Sequence, residues 1–181
     1  MAQEYIYFAG TLPMLVFGEK PLIDVDSFDE EALRLTDERT AKLLKNVTLY
    51  NPGGSGLPPM VRKYYDWENA LRNTWLDFRK KERSDAADFK RNDPEFYSEI
   101  APALSQAANT SDLMEAEKII DRLRWNALDN FCTGHYRDLD FLAIYRIKLQ
   151  ILAKYDVRTA ANGNQALEEI LQYLLDESKT N

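Results

Sequence analysis

Tyr64-Tyr65-Asp66-Trp67-Glu68-Asn69-Ala70-Leu71-Arg72-Asn73 lies inside a charged stretch that runs from residue 59 to 83. Tyr64, Trp67, Leu71, Trp75 and Phe78 recur along it at spacings of 3, 4, 4 and 3. That recurrence places them on one face of an α-helix, with charged residues opposite. About 25 residues at the helical rise make a rod of ~37 Å. A second block follows Gly134-His135: Tyr136-Arg137-Asp138-Leu139-Asp140-Phe141-Leu142-Ala143-Ile144-Tyr145-Arg146-Ile147-Lys148-Leu149-Gln150-Ile151-Leu152. Asp138 suits its N-cap, and Leu142, Tyr145, Leu149 and Leu152 form its apolar face. Two such blocks predict a predominantly all-α multi-helix bundle.

Outward from these blocks the same pattern repeats. Ser27 with Glu30 reads as a capping box before Leu33 and Leu35, and Thr36 as a second N-cap before Ala41, Leu43, Leu44 and Val47. Asp93-Pro94 reads as the start of a helix with Phe96, Ile100 and Leu104 on its face. Thr110 or Ser111 caps a long helix through Met114, Ile119, Leu123, Leu128 and Phe131, and Gly134 suits its C′ position. A last helix carries Leu167, Ile170, Leu171 and Leu174 after Asn162-Gly163-Asn164. Residues 4–9 are β-branched and aromatic and read as a short strand, with a first helical turn as the alternative, so the fold has room for one short N-terminal β element.

Three glycines and three prolines crowd residues 51–59, which cannot be helix or central strand. The chain therefore divides into an N-terminal segment with short helices (1–51), a Gly/Pro-rich linker or loop (52–58) and a main helical domain (59–181), or forms one domain throughout. At 181 residues, folding should remove roughly 70% of the accessible surface of the unfolded chain. Hydrophobic residues at 45% and aromatics at 12% supply the core that such burial requires.

Charge narrows the partners. The net charge of −7, from 30 acidic and 23 basic residues, disfavours nucleic acid, whose phosphates attract clustered Lys and Arg. Residues 58–91 are the exception at +3, which leaves the rest of the chain near −10. Arg79, Lys80, Lys81 and Arg83 end the long helix with positive charge, as its dipole favours, and are the candidate partner-binding residues; a solvated helix end is the plainer reading. The single Cys132 suits a reducing compartment and reads as a small buried hydrophobe. Residues 5–17 are too short and too interrupted for a membrane span or signal peptide. Direct membrane insertion is not expected, and the location read from the sequence is cytoplasmic.

No catalytic set emerges. The Gly53-Gly54-Ser55-Gly56 loop is followed by Leu57-Pro58-Pro59, where a P-loop would need Gly-Lys-Ser/Thr to hold phosphate and magnesium. His135 is the only histidine, so a metal site there would be completed by carboxylates alone; the plainer reading is a helix-connection residue bonded to backbone, Asp138 or Asp140. Asp138 with Asp140, Glu30 with Glu31 and Glu168 with Glu169 read as caps or solvated faces rather than acid/base pairs. Trp67, Trp75 and Trp125 read as core. Catalytic residues, cofactor, metal ligands and small-molecule substrate are all expected to be absent.

Tyr5-Ile6-Tyr7-Phe8-Ala9-Gly10-Thr11-Leu12-Pro13 resembles the start of an uncharacterised bacterial family that tends to be encoded alongside V-type ATPase subunits. Trp125, Leu128, Asp129, Gly134, His135, Tyr145, Lys148, Leu149 and Gln150 resemble the C-terminal block of the same family. The helix Tyr65-Asp66-Trp67-Glu68-Asn69-Ala70-Leu71-Arg72 loosely resembles one in the C-type subunit of V-type ATP synthases, the d-type subunit of eukaryotes. These resemblances imply an all-helical, non-enzymatic component or assembly partner of a bacterial V-type ATPase. The C-type subunit sits on the membrane rotor ring and receives the central shaft, and this chain is much shorter and lacks its three-part organisation. Peripheral attachment to the inner membrane through the complex follows from the same resemblance. A free-standing helical regulator or nucleic-acid-associated module using residues 79–91 is the competing reading, and an unrecognised enzyme the third.

Overall fold

The computed structural model describes residues 5–50, 56–82 and 96–157. Among these the chain forms α1 (Ile6–Thr11), α2 (Val25–Leu35), α3 (Glu38–Asn46), α4 (Pro59–Glu82), α5 (Ile100–Ala108), α6 (Leu113–Cys132) and α7 (Leu139–Val157), and no strand. The all-α, multi-helix expectation holds. The helix expected at residues 167–174, the Asp93-Pro94 start and most of the Gly/Pro-rich segment lie outside the described residues.

The second block forms the centre of the bundle. Leu142, Ala143, Ile144, Tyr145, Ile147, Leu149, Ile151 and Leu152 are all buried, so α7 is enclosed on every side rather than along one stripe. It packs against α2, α3, α4 and α6. Its polar interior positions are satisfied individually. Arg146 pairs with Asp29 through bonds of 2.7 and 2.8 Å and donates to the Val47 carbonyl. Gln150 accepts from the Leu49 amide at 2.8 Å and donates to the Val47 carbonyl at 3.0 Å. These contacts fasten the α3–α4 connection to the central helix.

The N-terminal segment is helix, not strand. Tyr5 and Phe8, three residues apart, point into the core, while Ile6 and Tyr7 are 57% and 69% exposed. An alternating strand would have put Tyr5 and Tyr7 on the same side. Phe8 packs on Phe28 with ring centroids 5.2 Å apart, and Phe28 stacks on Tyr145 of α7 at 5.7 Å. The Tyr145 hydroxyl donates to the Pro13 carbonyl at 2.7 Å. Residues 5–50 thus enter the same core as the rest of the described chain.

Aspartates take the N-cap positions where hydroxyl residues were expected. Asp24 accepts from the Ser27 amide (2.7 Å), Asp37 from Thr40 (3.0 Å) and Asp112 from Met114 (2.8 Å). A carboxylate satisfies the free amides and the positive helix end together. Thr36 and Thr110 instead close the preceding helices, donating to the carbonyls of Ala32 (2.7 Å) and Gln106 (2.9 Å). Asp138 and Gly134 do occupy their expected places. Asp138 accepts from the Phe141 amide at 3.0 Å, and Gly134 adopts φ +88° just beyond α6.

Candidate functional site

Two places in the bundle gather charged and polar side chains, one where three helices meet and one at a turn between consecutive helices. The first lies between α4, α5 and α6. On α4 the buried face begins with Tyr64, Tyr65, Trp67, Ala70 and Leu71, but Trp75 and Phe78 are only half-buried. The expectation that Trp75 belongs fully to the core is corrected: α4, α5 and α6 do not close over it. An open groove of about 560 Å³ results, with Leu71, Trp75, Leu104, Ala107, Leu113 and Ile120 among its walls. Leu113 is 82% exposed at its edge. Phe96, expected on the α5 face, stands 90% exposed because α5 begins only at Ile100.

Arg72 and Arg124 add polar walls to this groove. Both converge on Glu68, which is almost completely buried. Arg124 meets it with two bonds of 2.9 Å, and Arg72 Nε adds one of 3.0 Å. Arg124 also donates to Asp121 at 2.9 Å, and Asp121 accepts from Lys154 (2.7 Å) and Tyr155 (2.9 Å) on α7. Burial opposes the charge on Arg124, but the Glu68 carboxylate more than offsets it, so its affinity for the proton is raised. This network locks α4, α6 and α7 together and keeps its charges occupied with one another.

The second place is the α6–α7 turn. His135 Nδ1 lies 2.5 Å from Asp138 Oδ2 and 4.0 Å from Asp140 Oδ2, as its reading as a helix-connection residue anticipated. Each carboxylate uses its other oxygen elsewhere. Asp138 Oδ1 caps α7, and Asp140 Oδ1 accepts from the Met60 amide at 2.8 Å, at the start of α4. Burial raises the Asp140 carboxyl above its ordinary value, against the Met60 amide and His135, which lower it. One ligand atom from each of the three residues lies within 4.8 Å of the others, a separation that could hold a metal ion. Cys132 sits beside this turn, its thiol directed to the His135 carbonyl at 3.4 Å, and burial pushes it above the ordinary thiol value. That is the behaviour of an inert thiol.

Of the expected partner-binding residues, Arg79, Lys80 and Lys81 fall in the last turn of α4, but their side chains, like Arg83, lie outside the described residues. Sequence spacing could not have shown the groove, because it depends on how far α5 stands from α4. Nor could it have paired Glu68 with Arg124 across 56 positions. Among the described residues no helix is long and apolar enough to cross a membrane. No curated protein and no solved structure matches the chain. The family described as protein of unknown function (DUF2764) matches it over residues 80–178, more than half its length, and the chain belongs to that family.

Proposed function

We propose that this chain is a non-enzymatic component or assembly partner of a bacterial V-type ATPase, an adapter resembling the C-type subunit that docks through helix faces. The resemblance set out in the sequence is what carries this reading. The residues bearing it do framework work in this fold. Trp67, Leu71, Trp125, Leu128, Tyr145 and Leu149 are core. Lys148 on α7 pairs with Asp129 on α6, and Gln150 holds the α3–α4 connection. Residues used in this way maintain an arrangement of helices, which suits a part whose task is to hold other parts. The groove between α4, α5 and α6, about 560 Å³ with mainly apolar walls, offers such a scaffold a surface for a partner. A cytoplasmic location, peripheral to the inner membrane through the complex, belongs to the same proposal.

Affinity capture of the tagged full chain from its native cell tests this directly. V-type ATPase subunits should be recovered in stoichiometric amounts. Their absence from the captured material, with the tagged chain folded and at native abundance, would remove the proposal.

A further inference from the structure

We propose that His135, Asp138 and Asp140 form a binding site for a divalent transition cation at the α6–α7 turn. The site stands independently of the ATPase reading, because donor chemistry and geometry alone support it.

The donor set is one imidazole nitrogen and two carboxylate oxygens. Nitrogen beside oxygen favours zinc, copper or nickel over calcium and magnesium, which take oxygen ligands. The orientation of the donors is the stronger observation. Asp138 is held by the Phe141 amide and Asp140 by the Met60 amide, each through Oδ1. Both Oδ2 atoms are left facing the same Nδ1 of the chain's only histidine. Fixing carboxylates by outside hydrogen bonds is how metal ligands are oriented, and here the bonds come from two helices rather than from the three residues themselves.

The distances require only side-chain adjustment. Ligands about 2.0–2.2 Å from a zinc ion lie roughly 3.3 Å from one another in a tetrahedron. The separations of 2.5 and 4.0 Å bracket that value. A cation entering between the three groups would lengthen the first and shorten the second, each by under ~1 Å. It would also draw the two carboxylates, whose ligand atoms lie within 4.8 Å, together by no more than ~1.5 Å, a movement their side-chain torsions can supply. The side chains of His135 and Asp138 are each 26% exposed and that of Asp140 11%, so the site opens to solvent on one side. Water can complete the coordination there. A bound cation also relieves two carboxylates that face a single imidazole. It would couple the α6–α7 turn to the start of α4 through Asp140, with thermal stability rising as metal is added.

The test uses the full chain, stripped with a chelator and titrated with zinc alone. One equivalent should bind, with a rise in the unfolding midpoint. Cobalt in place of zinc should give visible d–d absorption. Since His135 is the only histidine, its ring resonances in an NMR spectrum report unambiguously and should shift in proportion to zinc bound. Asp140→Asn keeps an oxygen for the Met60 amide, and His135→Gln keeps a polar side chain. Each should weaken zinc binding at least 10-fold, while Cys132→Ser should bind as the parent does. Absence of a stoichiometric site in the parent, or unshifted histidine resonances at saturating zinc, would overturn the proposal. So would unchanged affinity in both Asp140→Asn and His135→Gln. The resonance shift is read on the parent chain, so misfolding of a variant does not disturb that readout.

Discussion

Arg124 and Glu68 face each other across 56 positions of sequence through two bonds of 2.9 Å, a bidentate pair almost fully removed from solvent. Such a pair adds little by its presence, because both ions have lost their hydration. Removing Glu68 leaves the buried Arg124 guanidinium with Asp121 as its remaining carboxylate partner and two of its donors unmatched. Glu68→Ala should therefore cost about 3–5 kcal/mol in chemical denaturation. Joining Glu68→Leu to Arg124→Met should cost less than the two single changes added together. A single substitution worth under ~1 kcal/mol would show that water reaches this pair.

The two tryptophans of α4 should part company. Trp67 is 1% exposed and its indole donates to Glu99 at 3.0 Å, whereas Trp75 is half-buried on the groove. Trp67→Ala should cost about 3–5 kcal/mol, and Trp75→Ala clearly less. Iodide should quench the fluorescence of Trp75 before that of Trp67. Equal losses in stability would mean that the groove is closed in solution.

Why the heptad-like spacing treated both tryptophans alike bears on what a sequence can tell. Periodicity reports which residues share a helix face, and it did so for Tyr64, Trp67 and Leu71. It does not report how closely the neighbouring helices approach, and Trp75 lines the open groove between α4, α5 and α6. α7 shows the opposite failure. Leu142, Tyr145, Leu149 and Leu152 were visible as one stripe, but Ala143, Ile144, Ile147 and Ile151 are equally buried, since α7 lies at the centre of the bundle. The His135–Asp138 contact was legible because three residues separate its members. The Asp140–Met60 bond, across 80, was not.

Backbone conformation supplies a sharp contrast between two glycines. Gly134 takes φ +88° just beyond α6, where a side chain meets its own carbonyl. Gly10 lies inside α1, with open space where a Cβ would stand. Gly134→Ala should lower stability by about 1–2 kcal/mol. Gly10→Ala should raise it by up to ~1 kcal/mol through the less flexible unfolded chain. Thermal denaturation of the two variants side by side reads the difference in sign.

Alkali should unfold this protein more readily than composition suggests. Burial raises the proton affinity of Tyr64, Tyr65 and Tyr145 above the ordinary 10.0, and of Cys132 above 9.0. In each case the native state keeps a proton that the unfolded chain has already released. Stability is then full below the unfolded values and falls as pH rises from about 9 through the folded ones. On the acid side, Asp24 and Asp37 are lowered chiefly by bonds from Ser27 and Thr40, so their contribution is present above 3.8 and fades as pH drops below it. Denaturation midpoints measured from pH 3 to 11 should fall at both ends. A flat alkaline limb would mean that the tyrosines are solvated.

Two surfaces compete to serve the proposed ATPase contact, and they respond differently to salt. The groove is mainly apolar beside its Arg72 and Arg124 walls, and Leu113 at its edge is 82% exposed, so Leu113→Glu alters the surface while leaving the core intact. Glutamate at the first position of α6 also suits the helix dipole. If partner subunits seat in the groove, this variant should recover far less of them, and moderate salt should change recovery little, since apolar burial is not screened. If the basic end of α4 makes the contact, reversing Arg79, Lys80, Lys81 and Arg83 should weaken capture. Salt should then do the same, because exposed charges are screened beyond about 8 Å at physiological ionic strength. The groove reading expects a strong effect of Leu113→Glu and a weak one of salt. Capture that survives Leu113→Glu but is lost both in the charge-reversed chain and at high salt would move the contact to the basic end.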